Sequence, residues 1–289
     1  MSETPHQDLS GVAETSLIAL YIRAIESQRT DALIKDERAE AVVRQLDQEY
    51  LRKTTALTED TGRVVMILKT REFDRFAQDF LGRHPDAVVV HIGCGLDTRF
   101  ERVCSEQPDN GRVEWYDLDL PDVIDLRRKL VEGEELALSE VEGARHHFLA
   151  CSVLDSAWLD TVSAHRQRPY LFLAEGVLMY FDEAQVKSLV LTLRDHFPGA
   201  ELVFDALSPI HVWRHNLQMR TFKIAIHVHW GIWRGQKIEG WGNSIRLLDE
   251  WGFFDQPEPR LAPIRWLRPF ESLARTIRIY HFRLGKAAG

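Results

Sequence analysis

Two glycines one residue apart, Gly93 and Gly95, directly follow the apolar, β-branched run 87–92. Glycine at the turn from a strand into a helix lets the backbone approach a ligand closely, and the N–H groups at the start of the helix are free to bind it. A dinucleotide-binding fingerprint would place a third glycine at position 98, where this chain has Thr98. The motif therefore predicts a ligand-binding loop, with weaker support for a pyrophosphate ligand.

Two acidic residues stand at the ends of later apolar runs. Asp119 ends such a run 24 residues after Gly95, a spacing at which a carboxylate reaches the ribose hydroxyls of an adenine nucleoside. Asp117 is an alternative, because alternation along a strand places both aspartates on one face, but Asp119 is nearer the strand end. Glu175 directly follows another apolar run, where burying a charge is costly without a partner. It predicts a ligand amine or an arginine nearby.

The elements that position these residues alternate between strand and helix. The strand-like runs are 87–92, 113–119, 146–150, 170–174 and 201–206. The segment Glu183–Phe197 has helical periodicity, and Asp182 and Gln185 at its start have the spacing of a capping box. Residues 276–284 alternate apolar and polar, which is typical of an antiparallel strand near a sheet edge. This order predicts an α/β fold with an open, mostly parallel sheet.

Two further segments lie outside this alternation. Residues 1–60 contain apolar positions at helical spacing and predict a helical N-terminal extension. Residues 207–252 are rich in Trp, His and Gly, so we expect a cap inserted over one rim of the sheet. The tryptophans of this segment, including Trp213 and Trp230, predict either the core of the cap or an aromatic acceptor pocket that Tyr180 also reaches. We expect the whole chain to form one domain.

The composition is that of a globular protein, with 289 residues of which 45% are hydrophobic and 28% charged. The net charge is −8 and no basic patch stands out, so a nucleic acid is not expected as a partner. No apolar run approaches the ~20 residues that span a bilayer, and no signal peptide is recognisable, so we expect a cytoplasmic protein with no membrane partner. The three cysteines and the histidine pairs lack the spacing of a metal site, so no metal is expected.

Three motifs, taken together and in this order, resemble the leucine carboxyl methyltransferase family, which includes bacterial polyketide O-methyltransferases. The motifs are Val-Val-Val-His-Ile-Gly-Cys-Gly-Leu-Asp-Thr-Arg-Phe (88–100), Trp-Tyr-Asp-Leu-Asp-Leu-Pro-Asp-Val-Ile (115–124) and Ala-Glu-Gly-Val-Leu-Met-Tyr-Phe (174–181). Residues 16–46 also resemble the N-terminal helices of that family, so the resemblance covers most of the chain. It implies the Rossmann-like class I methyltransferase fold and S-adenosylmethionine as the cofactor.

The resemblance also implies roles for individual residues. It makes Gly93 and Gly95 the loop at the methionine side of the cofactor. It makes Asp119 the ligand of the ribose and Glu175 a second carboxylate of the cofactor pocket. Arg23 lies where the N-terminal helix of the family places a basic residue near the cofactor.

Two positions depart from the pattern of the family. Many members have Arg-Thr-Arg where this chain has Lys69, Thr70 and Arg71, so either Lys69 or Arg71 is expected to meet the carboxylate of the cofactor. The acidic residue beside the adenine is replaced by Ser152, which can hydrogen-bond an adenine amine but supplies no charge. Asp155 is the alternative at that place.

The resemblance predicts an O-methyltransferase acting on a small molecule such as a polyketide-type metabolite. A carboxylate acceptor, with a reference pKa near ~4, is ionised at neutral pH and needs no general base, whereas a phenol near ~10 would need one. The motifs place no histidine at a strand end, which favours a carboxylate over a hydroxyl and leaves the catalytic residue unassigned. Two alternatives are a cofactor-binding scaffold without catalysis, which Ser152 suggests, and an NAD(P)-dependent oxidoreductase, which Thr98 disfavours.

Overall fold

The computed structural model describes residues 11–46, 60–106, 112–132, 145–222, 227–270 and 275–286. Three helices lead into the sheet: α1 (Gly11–Ser27), α2 (Glu37–Val43) and α3 (Asp60–Arg83). The first two belong to the predicted N-terminal extension, of which residues 1–10 and 47–59 lie outside the described residues. Asp36 begins α2, and its carboxylate accepts a hydrogen bond of 2.9 Å from the N–H of Ala39.

Seven strands form one sheet in the order β3–β2–β1–β4–β5–β7–β6. In chain order they span Val88–Ile92, Glu114–Asp119, His146–Ala150, Tyr170–Ala174, Glu201–Leu207, Ile245–Gly252 and Ile277–Leu284. β1 to β5 pair in parallel, which confirms the predicted α/β sheet. The strand order reverses between β1 and β4, and the crevice beyond the carboxyl ends at such a reversal is where open α/β sheets bind ligands.

Short helices connect these strands. They are α4 (Arg99–Glu106), α5 (Pro121–Arg127), α6 (Ala157–Val162), α7 (Glu183–His196), α8 (Pro209–Phe222) and α9 (Gln236–Glu239). α5 begins at Pro121, whose fixed φ suits the first turn of a helix. α7 has the predicted capping box, in which Asp182 accepts from the N–H of Gln185 at 2.8 Å and the Gln185 side chain accepts from Asp182 at 2.9 Å.

The antiparallel strand predicted at 276–284 is β7, but it lies one strand inside the sheet edge, between β5 and β6. The edge strand β6 is formed by Ile245–Gly252, at the end of the predicted cap segment 207–252. A register shift between Leu247 and Asp249 interrupts the alternation of its two faces. Periodicity therefore does not identify β6 in the sequence.

The sheet separates two apolar cores. One core includes Phe172 and Leu193 and lies on the side of α7, and the other includes Phe73 and Leu171 and lies on the side of α3. β1 and β4 are buried along their whole length, because both of their faces are covered. No helix in the described part of the chain has the length and apolarity needed to cross a bilayer.

An ion cluster around the buried carboxylate of Glu201 joins α3 to the amino end of β5. The carboxylate of Glu201 accepts from Arg83 Nη1 and Nη2 at 3.1 and 2.9 Å, and it lies 2.8 Å from His281 Nε2. Burial alone would raise the pKa of Glu201, but the hydrogen bonds from His281 and Arg83 lower it to about 2. The folded-state pKa is thus below the ordinary value near ~4.3, so the cluster stabilises the fold above that pH.

We therefore expect Glu201→Gln to reduce the free energy of unfolding at pH 7 by about 2 kcal/mol, since it leaves Arg83 and His281 without their carboxylate. The difference from wild type should shrink as the pH falls from about 4.3 to about 2. Urea unfolding at pH 7 and pH 3 measures both values, with Asp160→Asn, a change at an exposed carboxylate, as the control. An equal loss at both pH values would contradict this assignment.

Candidate active site

The glycine loop after β1 has a backbone that other residues adopt only under strain. Gly93 and Gly95 have φ values of +63° and +52°, in the left-handed region. The N–H of Gly93 donates to the carbonyl of Leu118 on β2 at 2.7 Å, which fixes the loop at the carboxyl ends of both strands. A Cβ atom at Gly93 would lie under 3.0 Å from the side chain of Val177, and one at Gly95 would lie 3.1 Å from Ser16.

Asp119 lies beside this loop and is 7% exposed. Its two carboxylate oxygens accept from the N–H groups of Gly95 and Leu120, each at 2.7 Å. Among the described residues, no cation lies within ion-pair distance of Asp119, and burial raises its pKa above the ordinary value. A buried carboxylate without a cationic partner is a candidate binding group, because its remaining lone pairs can accept hydrogen bonds from a ligand.

Asp117, the alternative at this strand end, has a different environment. Its carboxylate lies 2.9 Å from Arg127 Nη2 and 2.9 Å from His146 Nε2, and it accepts from the indole N–H of Trp115 at 2.9 Å. Although burial raises the pKa of Asp117, Arg127 and His146 lower it well below its usual range. The negative charge of Asp117 is thus balanced by Arg127 and His146 within the protein. Asp119 is the aspartate that is left to bind a ligand.

Glu175 follows β4 and lies in a cluster of polar side chains. Its Oε1 accepts from Thr70 Oγ1 at 3.0 Å and lies 3.6 Å from Lys69 Nζ, and its Oε2 accepts from Arg99 Nη2. Burial alone would raise the pKa of Glu175, but the charges of Arg99 and Lys69 hold it below the ordinary value. Glu175 therefore stays ionised, as a ligand for an ammonium group requires.

Lys69 connects Glu175 to β5. Its ammonium lies 2.9 Å from Asp205 Oδ2, and the other oxygen of Asp205 accepts from the N–H of Gly176. Burial lowers the pKa of Lys69, but Asp205 and Glu175 raise it more, so the group is held above its ordinary value as a cation. A partly buried cation therefore lies between the carboxyl ends of β4 and β5.

Of the other basic candidates, Arg23 contacts the glycine loop, whereas Arg71 contacts Gln256. The guanidinium of Arg23 donates to Asp36 at 3.0 Å and to the carbonyl of Leu96 at 2.7 Å, so it holds the loop backbone after Gly95 in place. Arg71 donates to Gln256 instead. The structure thus brings Lys69, and not Arg71, to Glu175.

Ser152 lies two residues beyond the end of β3, at the strand end next to Asp119. The N–H of Cys151 donates to the carbonyl of Asp119 at 2.9 Å, which holds this loop against β2. The hydroxyl of Ser152 accepts from the N–H of Leu154 at 3.2 Å. Asp155, the alternative at this place, has an exposed side chain.

The three acceptor-pocket candidates lie in different environments. Tyr180 ends the turn Leu178–Tyr180 after β4, and burial raises the pKa of its phenol. Trp230 is 3% exposed and packs against Phe204, so it is a core residue. Trp213 is 64% exposed on α8. Tyr180 and the backbone of Trp230 therefore lie at the turn after β4, whereas Trp213 lies on the surface.

The arginine that the sequence predicted beside Glu175 is Arg99, which sequence reasoning did not name, and Asp205 beside Lys69 was missed. Arg99 is fully buried and donates to Glu175, and Asp205 pairs with Lys69. Both gave a signal: Arg99 closes the Asp-Thr-Arg triplet after the glycine loop, and Asp205 is an acidic residue inside the apolar run Leu-Val-Phe-Asp-Ala-Leu. A charge within an apolar strand indicates a buried partner.

A seven-stranded sheet with one antiparallel strand, and a carboxylate after β2 that faces a glycine loop after β1, together define a class I S-adenosylmethionine-dependent methyltransferase. The model of the leucine carboxyl methyltransferase family matches residues 16–194. The chain belongs to this family.

Similar proteins agree with this assignment. The tetracenomycin polyketide synthesis O-methyltransferase TcmP of Streptomyces glaucescens is 34% identical over 251 residues, 86% of each chain. The S-adenosyl-L-methionine-dependent methyltransferase dpfgK of Gibberella zeae is 31% identical over 68% of this chain and 67% of its own. A crystal structure of a DUF574 family protein from Streptomyces avermitilis has a TM-score of 0.59 at 14% identity and covers 93% of this chain and 96% of its own, which shows the fold alone.

The predicted family, cofactor and O-methyltransferase function are thereby confirmed, in preference to a nicotinamide-dependent oxidoreductase. The residues present also fit the cofactor. Asp119 is a buried carboxylate that lacks a cationic partner among the described residues and suits two ribose hydroxyls. In the glycine loop beside it, the N–H of Gly95 donates to Asp119, which places the loop backbone next to this carboxylate.

Proposed function

We propose that the enzyme methylates a carboxylate of a small, polyketide-type aromatic acid at the carboxyl ends of β4 and β5. In this proposal Asp119 binds the ribose of S-adenosylmethionine and Glu175 binds its ammonium group. The loop of Gly93 and Gly95 surrounds its methionine portion. Lys69, which lies beside Glu175, is the basic residue nearest the carboxylate of the cofactor.

The observation that carries this proposal is that neither carboxylate beside Lys69 is available as a base. The oxygens of Glu175 accept from Thr70 and Arg99, and those of Asp205 face Lys69 and the N–H of Gly176. A hydroxyl acceptor would have to lose its proton to a base, whereas a carboxylate is already ionised at neutral pH. The groups at this edge of the sheet therefore suit an acceptor that is already ionised when it binds.

The name of the family supports a carboxylate acceptor, and the name of the relative TcmP supports a polyketide-type acceptor methylated on oxygen. The family is named for methyl transfer to a carboxyl group, and TcmP is named for O-methylation in polyketide synthesis. This chain and TcmP align over 86% of each, a share that reaches well beyond the family motifs.

Catalysis in this proposal rests on position and on the exclusion of water. When bound, S-adenosylmethionine supplies an electrophilic methyl group on a sulfonium. The protein holds the acceptor oxygen in line with that group, with Lys69 as the nearby cation. The N–H groups of His229 and Trp230 both donate to the carbonyl of Met179, at 2.7 and 3.3 Å, so this segment covers the turn beside Tyr180.

A panel of fused-ring aromatic carboxylic acids and the matching phenols tests the acceptor class. With S-adenosylmethionine labelled in its methyl group, we expect product from the acids, and we expect alkali to release that label as methanol because it is held as a methyl ester. We also expect kcat/KM to stay flat between about pH 6 and pH 9, since the acid is ionised throughout. Alkali-stable label would be a methyl ether and would contradict a carboxylate acceptor.

A hydroxyl acceptor is the second candidate, and two histidines of α8 favour it. His211 Nδ1 and His215 Nε2 are buried and have no hydrogen-bond partner among the described residues. Burial lowers the pKa of His211 to about 4, so at neutral pH its ring can accept a hydrogen bond. For this candidate the product would be alkali-stable, and His211→Gln or His215→Gln would reduce kcat. Cofactor binding without turnover of any acid or phenol would favour a scaffold without catalysis.

A further inference from the structure

The side chain of Arg99 contacts several elements around the candidate site. Its Nε lies 2.7 Å from Asp74 Oδ1 on α3, and its Nη2 lies 3.0 Å from Asp97 Oδ2 in the glycine loop. The same Nη2 donates to Glu175 Oε2 at the end of β4, and Nη1 lies 2.9 Å from His91 Nε2 on β1. One side chain thus joins α3, the glycine loop, β1 and β4.

The position of Arg99 is fixed by burial and by charge. Its side chain has no exposed surface, and the flat guanidinium offers its donors in a fixed geometry. Asp97, which holds one end of it, is itself held by Arg102 Nη1 at 2.9 Å. Arg99 is therefore held in place by contacts other than Glu175, and its position determines that of the Glu175 carboxylate.

Arg99 and Thr70 each bind one oxygen of the Glu175 carboxylate. Arg99 binds Oε2, Thr70 donates to Oε1 at 3.0 Å, and Lys69 lies 3.6 Å from the same Oε1. With a partner on each oxygen, the plane of the carboxylate is fixed and each oxygen retains a lone pair for one more donor. A carboxylate held in this way is preorganised to bind an ammonium group.

We propose that Arg99 is a positioning residue that orients Glu175 toward the ammonium group of the amino-acid portion of the cofactor. This inference rests on the cofactor site proposed above. It assigns to Arg99 no contact with the cofactor and no part in the methyl transfer itself. Loss of Arg99 should therefore weaken only ligands that carry the amino-acid portion.

Two ligands separate this role from a structural one. S-Adenosylhomocysteine carries the ammonium group, and 5′-methylthioadenosine has the same adenosine and sulfur without the amino-acid portion. For Arg99→Lys, which keeps the charge and loses the forked geometry, we expect calorimetric titration to give about tenfold weaker binding of S-adenosylhomocysteine. Binding of 5′-methylthioadenosine should change less than about threefold.

Arg83→Lys is the matched control. Arg83 also binds a buried carboxylate through two guanidinium nitrogens, at 3.1 and 2.9 Å from Glu201, whereas the partners of Glu175 are Arg99, Thr70 and Lys69. We expect Arg83→Lys to leave the ratio of the two affinities unchanged. Thr70→Val, which removes the hydrogen bond that the Thr70 hydroxyl donates to Glu175, should give a smaller, selective loss. It provides the test if Arg99→Lys does not fold.

The outcomes separate this inference from the cofactor site. Equal weakening of both ligands by Arg99→Lys, or a selective loss in Arg83→Lys, would overturn the role of Arg99. No change in either ligand for Arg99→Lys and Thr70→Val would overturn it as well. Failure of the wild-type protein to bind either ligand would instead overturn the cofactor site.

Discussion

Asp119→Ala is expected to weaken binding of S-adenosylhomocysteine by about 100-fold and to reduce methyl transfer correspondingly. The reason is that a carboxylate accepting two ribose hydroxyls makes two charge-assisted hydrogen bonds, together about 3 kcal/mol. Calorimetric titration of the variant measures the affinity. Asp119 also accepts from the N–H groups of Gly95 and Leu120, so thermal unfolding of the variant measures how far the loss of these two hydrogen bonds affects the fold.

Asp119→Asn and Asp122→Asn complete this test. The asparagine at 119 keeps an oxygen for one backbone N–H but loses the charge, so we expect an intermediate affinity. Asp122 is an exposed carboxylate three residues further along the chain, and its variant should bind as wild type does. Wild-type affinity in Asp119→Ala would show that the ribose binds elsewhere.

Gly93→Ala is expected to have the second-largest effect. A side chain at φ +63° costs about 1–2 kcal/mol, and the added Cβ would also lie under 3.0 Å from the side chain of Val177. The loop must shift to relieve this overlap, and we expect at least about 30-fold weaker binding of S-adenosylhomocysteine together with a lower melting temperature. Calorimetry and thermal unfolding measure the two quantities.

Two further variants separate the overlap from the backbone strain. Adding Val177→Ala to Gly93→Ala removes the nearest atoms but not the strain, so we expect it to restore part of the affinity. Gly82→Ala, in helix α3 with open space around it, should leave cofactor binding unchanged. Unchanged binding in Gly93→Ala would mean that the ligand does not depend on the shape of this loop.

The strands of the sheet were largely predictable, because the sequence expresses burial directly. β1 and β4 are covered on both faces and read as short continuous apolar runs, and the capping box of α7 is visible at Asp182 and Gln185. β6 was not predictable, since its register shift removes the alternation on which strand prediction depends. The position of β7 inside the edge could not be inferred without β6.

The candidate site was predictable where a residue stands at a strand end, as Gly93, Gly95, Asp119 and Glu175 do. Partners that come from distant parts of the chain were not predictable from spacing. Which of Lys69 and Arg71 lies at the strand ends depends on the rotation of α3 against the sheet, which brings Lys69 within 3.6 Å of Glu175. The exposure of Trp213 likewise depends on how α8 packs, and the composition of that segment does not encode it.

Calorimetric titration of the wild-type protein with S-adenosylmethionine and S-adenosylhomocysteine, with NADPH as the control, tests the central claim most directly. The central claim is that this chain holds an adenosyl cofactor beside Asp119 and the glycine loop. We expect both nucleosides to bind at one site per chain and NADPH to give no binding heat. Binding of NADPH in the absence of nucleoside binding, or no binding of either nucleoside, would contradict it.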